Sequence, residues 1–251
     1  MSLSLSNQVS IAWLCFCRIG GCMMLVPGLA SPRIPMRIRL LIAMMTSLAC
    51  MPLAVPFVAP IVKNADQSRM FILLATELLF GFLLGMLCRI FFSALQFAMT
   101  AIGTLIGLSS PSSQSFESDD VSNALTEIVT ATTVVLFFEL NQHMEIIAIL
   151  AGSYSTHPVV GNFDINASLE ALLSVLSVAT ALAARLSSPF IIYSIFINFT
   201  LGLSNKIIPQ MPVQFIGAPV LLGGGLILLY LLSTSLVSVY SNEFDSWLSN
   251  Q

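Results

Sequence analysis

Four long uncharged segments constrain this chain more than any other feature of its sequence. Residues 40–62, 90–116, 186–205 and 213–242 contain no Asp, Glu, Lys or Arg. A helix needs about 20 apolar residues to cross a bilayer. Charged residues make up 8% of the chain, whereas a soluble domain has about a quarter. The runs are continuously apolar and lack the alternation of barrel strands. We therefore expect an all-α, polytopic membrane protein, built of kinked helical hairpins.

The hydrophobic pattern divides the chain into about six segments. No linker, composition shift or fixed-period repeat marks a boundary between domains, so we expect one membrane-embedded domain over residues 1–251. The expected helical segments are 8–27, 40–62, 70–109, 121–153, 168–205 and 213–240.

The segment 70–109 is too long for one ordinary span. As a single helix it would extend about 60 Å, which is about twice the hydrocarbon thickness of a bilayer. It is therefore either a tight hairpin or a long helix that extends beyond the membrane. We favour burial against partner proteins, because lipid could not cover its whole length.

Prolines interrupt the apolar pattern most strongly after residue 208. Pro209, Pro212 and Pro219 each lack a backbone donor, which predicts that no continuous helix passes through this elbow. Such a break survives at membrane depth where protein or a cavity surrounds it. We expect the elbow to contribute to subunit packing through Pro189, Asn198, Gly202, Pro209, Gln210, Pro212, Gln214, Gly217 and Pro219.

Arg18, Glu77, Arg89 and Arg185 lie within or beside apolar runs. Charged groups in membrane segments usually face the protein interior and pair with one another. Glu77 and Arg89 are too far apart on one helix to pair, so we expect Arg18 to be the partner of Glu77. The alternative for the three arginines is that they extend to the membrane surface from helix ends.

Paired glycines suggest close helix packing. The spacing of Gly81 with Gly85, and of Gly103 with Gly107, matches the small-residue motif that lets helices approach in lipid.

A basic connector formed by Arg33, Pro35, Arg37 and Arg39 follows the first segment. Basic loops favour the cytoplasm, so we place this connector there.

Several function classes have no support in the sequence. There is no nucleotide-binding loop, nucleophile elbow or metal-ligand cluster, and no basic patch suited to nucleic acid. The two histidines, His143 and His157, do not form the pattern of a haem-binding bundle. We therefore expect no catalytic residue, no cofactor and no metal.

The order and spacing of several motifs resemble the FliR family of flagellar export proteins, whose virulence-secretion counterparts are the SctT proteins. The most specific motif is the sequence Pro-Gln-Met-Pro-Val-Gln-Phe-Ile-Gly-Ala-Pro at 209–219. Supporting matches are Asn198 with Gly202, the basic connector 33–39, Glu77 with Gly81 and Gly85, and His143 with the turn 153–161. One departure is Leu108 to Pro111, where family members commonly have Gln and Gly.

This resemblance implies a core subunit of the type III export gate in the bacterial inner membrane, at the flagellar basal body. It implies assembly with FliP-like and FliQ-like subunits, contact with an FlhB-like switch protein, and a passive channel for unfolded export substrates. A virulence-secretion counterpart and a stand-alone secondary transporter are the alternatives. By its position and by resemblance, the candidate pore loop comprises Gly107, Leu108, Ser109, Ser110, Pro111, Gln114 and Phe116.

Overall fold

The computed structural model describes the backbone of residues 5–30, 34–63, 65–108, 131–156, 159, 163–207 and 213–249. The described residues form seven helices and no strand, which confirms the all-α prediction. The helices are α1 (Leu5–Met23), α2 (Met36–Lys63), α3 (Gln67–Leu105), α4 (Ala131–Glu139), α5 (Gln142–Thr156), α6 (Ile165–Ile207) and α7 (Val213–Ser249).

Among the described residues, four stretches are long and apolar enough to cross a membrane, namely Met36–Lys63, Gln67–Leu105, Ile165–Ile207 and Gly217–Trp247. The broken pair formed by α4 and α5 would add a fifth. These helices confirm the polytopic, membrane-embedded class predicted from the apolar segments.

The long segment after residue 70 is one continuous helix. α3 contains 39 residues and is about 58 Å long at the usual rise of about 1.5 Å per residue. The tight-hairpin alternative is therefore wrong. The segment is rich in Leu, Met and Ala, which favour helix, and it contains no proline to end it.

The predicted single helix over 121–153 is also wrong within its described part. It breaks at Leu140 and Asn141, between α4 and α5. Asn141 has φ of 56°, a left-handed conformation that Asn adopts more readily than most residues do.

Proline interrupts these helices less than its chemistry predicts. α6 continues through Pro189, and α7 continues through Pro219. The expectation that Pro219 prevents a continuous helix is therefore wrong, because α7 already begins at Val213. α2 also continues through Pro52, Pro56 and Pro60.

The chain clusters into two compact units. The first comprises Met1–Phe92 with Phe137–Leu176, and the second comprises Ser93–Leu136 with Ser177–Asn250. The expectation of a single domain over 1–251 stays a prediction.

The first unit has an apolar core built around α1 and α2. One face of α1 contributes Ile11, Leu14 and Cys15, and the facing stripe of α2 contributes Ala54, Val58 and Val62. Leu73 from α3, Tyr154 from α5 and Val159 complete this cluster. A smaller cluster of Ile19, Met23, Ala43 and Cys50 extends the contact between the two helices.

Candidate functional site: a buried ion pair and close helix contacts

Arg18 lies on the buried face of α1, because it follows the same helical spacing as Leu14, Cys15 and Cys22, and its exposed fraction is 1%. On α3, Glu77 lies four residues after buried Leu73 and four before Gly81. This spacing places the carboxylate and the glycine on one face of α3.

The two side chains form a bidentate ion pair, as the sequence predicts. Arg18 Nε donates to Glu77 Oε2 at 2.5 Å, and Arg18 Nη2 donates to Glu77 Oε1 at 2.8 Å. The side-chain exposures are 2% for Arg18 and 4% for Glu77. Both carboxylate oxygens are engaged, in the fork geometry that suits guanidinium and carboxylate best.

α5 supplies further contacts to the same guanidinium. Arg18 Nη1 donates to Ser153 Oγ at 2.9 Å, and Ser153 Oγ donates to the Leu150 carbonyl at 2.7 Å. The guanidinium carbon lies 4.2 Å from the ring centre of Tyr154 and 4.7 Å from that of Phe80. The charge is thus enclosed by a hydroxyl and two aromatic rings, which joins α1, α3 and α5.

Glycines allow the close approach that this pair requires. A Cβ added to Gly81 would overlap the Arg18 carbonyl oxygen, and one added to Gly85 would lie 2.7 Å from the Cys22 carbonyl oxygen. From the other side, a Cβ on Gly21 would lie 2.9 Å from the Leu78 carbonyl oxygen. The predicted packing role of Gly81 and Gly85 is therefore matched by backbone contacts with α1.

Ser153, Tyr154, Phe80 and Gly21 were not predicted to belong to this site. The sequence motif places Ser153 and Tyr154 only in the turn 153–161. The glycine pair at Gly20 and Gly21 in an apolar helix was a usable signal for close packing, whereas nothing local in the sequence marks Ser153 as a partner of Arg18.

The second glycine pair differs from the first. A Cβ on Gly103 would meet nothing within 4 Å, and Gly107 lies after the end of α3 with φ of 83°. Leu108 N donates to the Gly103 carbonyl at 2.9 Å, and Gly107 N donates to the Thr104 carbonyl at 3.1 Å. This is a Schellman cap, in which Gly107 ends the helix. Gly107 therefore caps α3, and the predicted role of Gly103 and Gly107 in helix packing stays a prediction.

The candidate pore loop begins directly after this cap. Gly107 and Leu108 are described, whereas Ser109, Ser110, Pro111, Gln114 and Phe116 lie outside the described residues. The assignment of these residues to a gate stays a prediction.

The elbow residues lie partly outside the described chain. Pro209, Gln210 and Pro212 are not described, nor is the side chain of Gln214. Gly217 on α7 lies against the side chain of Leu201 on α6. Asn198 Nδ2 donates to the Ser194 carbonyl at 2.8 Å, within its own helix, while a Cβ on Gly202 would meet nothing within 4 Å.

Tyr193 forms an additional link between α6 and α7. Its hydroxyl lies 3.0 Å from the Val220 carbonyl oxygen and 3.1 Å from that of Leu221. A Cβ on Gly224 would overlap the Tyr193 hydroxyl oxygen. The glycine therefore makes room for a hydroxyl that bonds to the backbone of α7 just after Pro219.

The other predicted charges are on the surface. Arg185 Nη1 lies 3.5 Å from Glu243 Oε2, with side-chain exposures of 63% and 34%. Arg89 is exposed on α3. In the basic connector, Pro35 and Arg37 are exposed and Arg39 is half-buried at the start of α2, whereas Arg33 lies outside the described residues.

Comparison with known proteins identifies the family. The profile described as "Bacterial export proteins, family 1" matches residues 9–247. The chain is 27% identical over 237 residues to the flagellar biosynthetic protein FliR of Caulobacter vibrioides, with 94% of each chain covered. It is 31% identical over 237 residues to that of Aquifex aeolicus, covering 93% of this chain and 89% of the relative.

A third relative is the flagellar biosynthetic protein FliR of Escherichia coli strain K12. It is 28% identical over 204 residues, with 81% of this chain and 76% of the relative covered. The match begins at residue 9 within α1, includes the whole of α3 and α5, and continues through most of α7. It therefore contains the buried pair on α1 and α3 and its contacts on α5. This chain belongs to family 1 of the bacterial export proteins.

Proposed function

We propose that this chain is a core subunit of the flagellar type III export gate and forms part of the inner-membrane channel for flagellar proteins. The observation that carries this proposal is the near full-length match to the export family, together with relatives described as flagellar biosynthetic proteins. Its long apolar helices fit a multi-pass protein of the bacterial inner membrane.

The proposed role is structural rather than enzymatic. Both carboxylate oxygens of the buried pair bond to Arg18, and two aromatic rings enclose its guanidinium. Such an arrangement fixes α1 against α3 and α5. We assign it the task of holding the first unit in the conformation that assembles with other subunits.

Helix length supports assembly with partners. α3 and α6 contain 39 and 43 residues, which corresponds to about 58 and 64 Å. The hydrocarbon layer is only about 30 Å thick. FliP-like and FliQ-like subunits, with an FlhB-like protein, are the proposed neighbours that cover the remaining length, alongside lipid.

Export by a deletion strain tests this function. Removal of the gene from its own bacterium is expected to abolish swimming and to leave flagellar proteins in the cell, with both restored by a plasmid copy. Immunoblots of cell and culture fractions measure the effect. Normal secretion in the deletion strain would contradict the proposal.

The gate assignment needs a separate test. Deletion of Ser110 to Ser115 is expected to make membranes that contain the assembled gate leaky to ions, because this segment is the proposed closure of the channel. Conductance of the purified assembly in planar bilayers measures it, with the intact chain as control. Unchanged conductance would remove the segment from the gate.

A further inference from the structure

Three prolines lie along the exposed side of α2. Pro52, Pro56 and Pro60 are all exposed, and their four-residue spacing keeps them near one face. The buried stripe of α2 lies on the opposite side and comprises Ala43, Ser47, Cys50, Ala54, Val58 and Val62. The prolines therefore play no part in the core of this unit.

Each proline removes the helical hydrogen bond to a carbonyl four residues earlier. The affected carbonyls are those of Leu48, Pro52 and Pro56. Within the described part of the chain, no side chain donates to them. The nearest hydroxyls on the helix are already used, since Thr46 donates to Ile42 and Ser47 donates to Met44.

α6 shows what a chain does when it satisfies such a carbonyl by itself. Pro189 removes the helical bond to the Arg185 carbonyl, and Ser188 Oγ donates to that carbonyl at 2.8 Å. α2 has no hydroxyl or amide side chain between Leu48 and Lys63. The three carbonyls of α2 therefore have no nearby side-chain donor that corresponds to Ser188 in α6.

The same side of α2 is strongly apolar. We call it the proline face and define it by Met45, Pro52, Leu53, Pro56 and Pro60. Met45 is 55% exposed and Leu53 is 60% exposed. Water would satisfy the carbonyls but leave these side chains hydrated, while lipid would cover the side chains but offer no donors to the carbonyls.

We propose that the proline face is the docking surface for a helix of a partner membrane subunit, one that carries Ser, Thr, Asn, Gln or Lys donors. The apolar side chains of the partner helix cover Met45 and Leu53. The donor side chains of the partner helix bond to the carbonyls of Leu48, Pro52 and Pro56. Hydroxyl and amide side chains are the groups that link helices in membranes. The face offers acceptors only, so a second copy of the same face could not complete it.

Photocrosslinking in native membranes tests the proposal. Leu53→p-benzoylphenylalanine places the reactive group on the proline face. We compare it alone, with Pro52→Ala, Pro56→Ala and Pro60→Ala together, and with Gly223→Ala on α7 as the control, because a Cβ at Gly223 meets nothing within 4 Å. Alanine restores the N–H donors and favours helix, so the triple variant keeps α2 folded, which its size-exclusion profile in detergent checks.

We expect a discrete protein adduct that is unchanged by Gly223→Ala. In the triple variant the adduct should fall about tenfold, as the loss of several interhelical hydrogen bonds predicts. Mass spectrometry should place the crosslink within one helical turn of a donor side chain on the partner. Replacement of that donor residue by Ala should also remove the adduct. Adducts with lipid only, no adduct, or an adduct that is insensitive to the triple change would each overturn the proposal.

Discussion

The contact of α1 with α3 and the contact of α6 with α7 use the same two devices, a polar link and a glycine, in opposite surroundings. Arg18 and Glu77 pair at 2% and 4% side-chain exposure, whereas Arg185 and Glu243 pair at 63% and 34%. The first pair is bidentate with contacts of 2.5 and 2.8 Å. The second has a single contact of 3.5 Å.

The glycines of the two contacts face different kinds of atoms, rigid backbone in the first contact and side-chain ends in the second. A Cβ on Gly81 would overlap the backbone of Arg18, which cannot move without shifting α1. A Cβ on Gly217 or Gly224 would meet the ends of the Leu201 and Tyr193 side chains, which can rotate. We therefore expect burial and the rigidity of the facing atoms to determine how much each contact contributes to the free energy of unfolding.

The largest expected effect comes from breaking the buried pair. Glu77→Ala leaves an uncompensated charge on Arg18 and should lower the free energy of unfolding by about 3–5 kcal/mol. Fluorescence-detected melting and size-exclusion in detergent measure it. The double change Arg18→Met with Glu77→Leu removes both charges and should recover most of the loss. Wild-type melting of Glu77→Ala would show that the pair does not stabilise the unit.

The glycine contact is expected to follow in size. Gly81→Ala forces a methyl group against the Arg18 carbonyl and should cost about 1–3 kcal/mol, as overpacking usually does. Gly103→Ala is the matched control, since a Cβ there meets nothing within 4 Å. We expect the control to melt at or slightly above the wild-type temperature. Equal melting of the two variants would contradict the backbone contact.

The hydroxyl link of the second contact should matter less. Tyr193→Phe removes the hydrogen bond to the backbone of α7 and should cost about 1 kcal/mol. Tyr230→Phe on the exposed side of α7 serves as control, because Tyr230 is 79% exposed. Thermal melting of both variants in one detergent measures the difference in melting temperature. Equal melting temperatures would show that the Tyr193 hydroxyl does not stabilise the contact of α6 with α7.

The smallest effect is expected at the exposed pair. Glu243→Gln should change the free energy of unfolding by less than about 1 kcal/mol, since exposed pairs gain little in water. Any effect should decrease in high salt, because ions screen exposed charges. Melting curves at low and high salt measure both. A loss as large as that of Glu77→Ala would remove the distinction between the two contacts.

The sequence predicted much of the fold and part of the site. Uncharged runs identified membrane helices because a segment can cross lipid only if its own residues are apolar, and this is visible in the sequence of the segment alone. The pairing of Arg18 with Glu77 followed from the cost of a lone charge among apolar residues. Proline was misread at Pro219, because a helix held by packing can tolerate a missing hydrogen bond that a propensity argument treats as a break.

By itself, the sequence thus determined the helical membrane class, the apolar spans and the need for a partner at each buried charge. Only the tertiary structure decided that Ser153 and Tyr154 complete the Arg18 site, 135 and 136 residues further along the chain. It alone showed that Gly81 faces backbone while Gly103 faces open space. The physical reason is that spacing fixes which residues share a helix face, whereas the packing of helices far apart in sequence decides what that face meets.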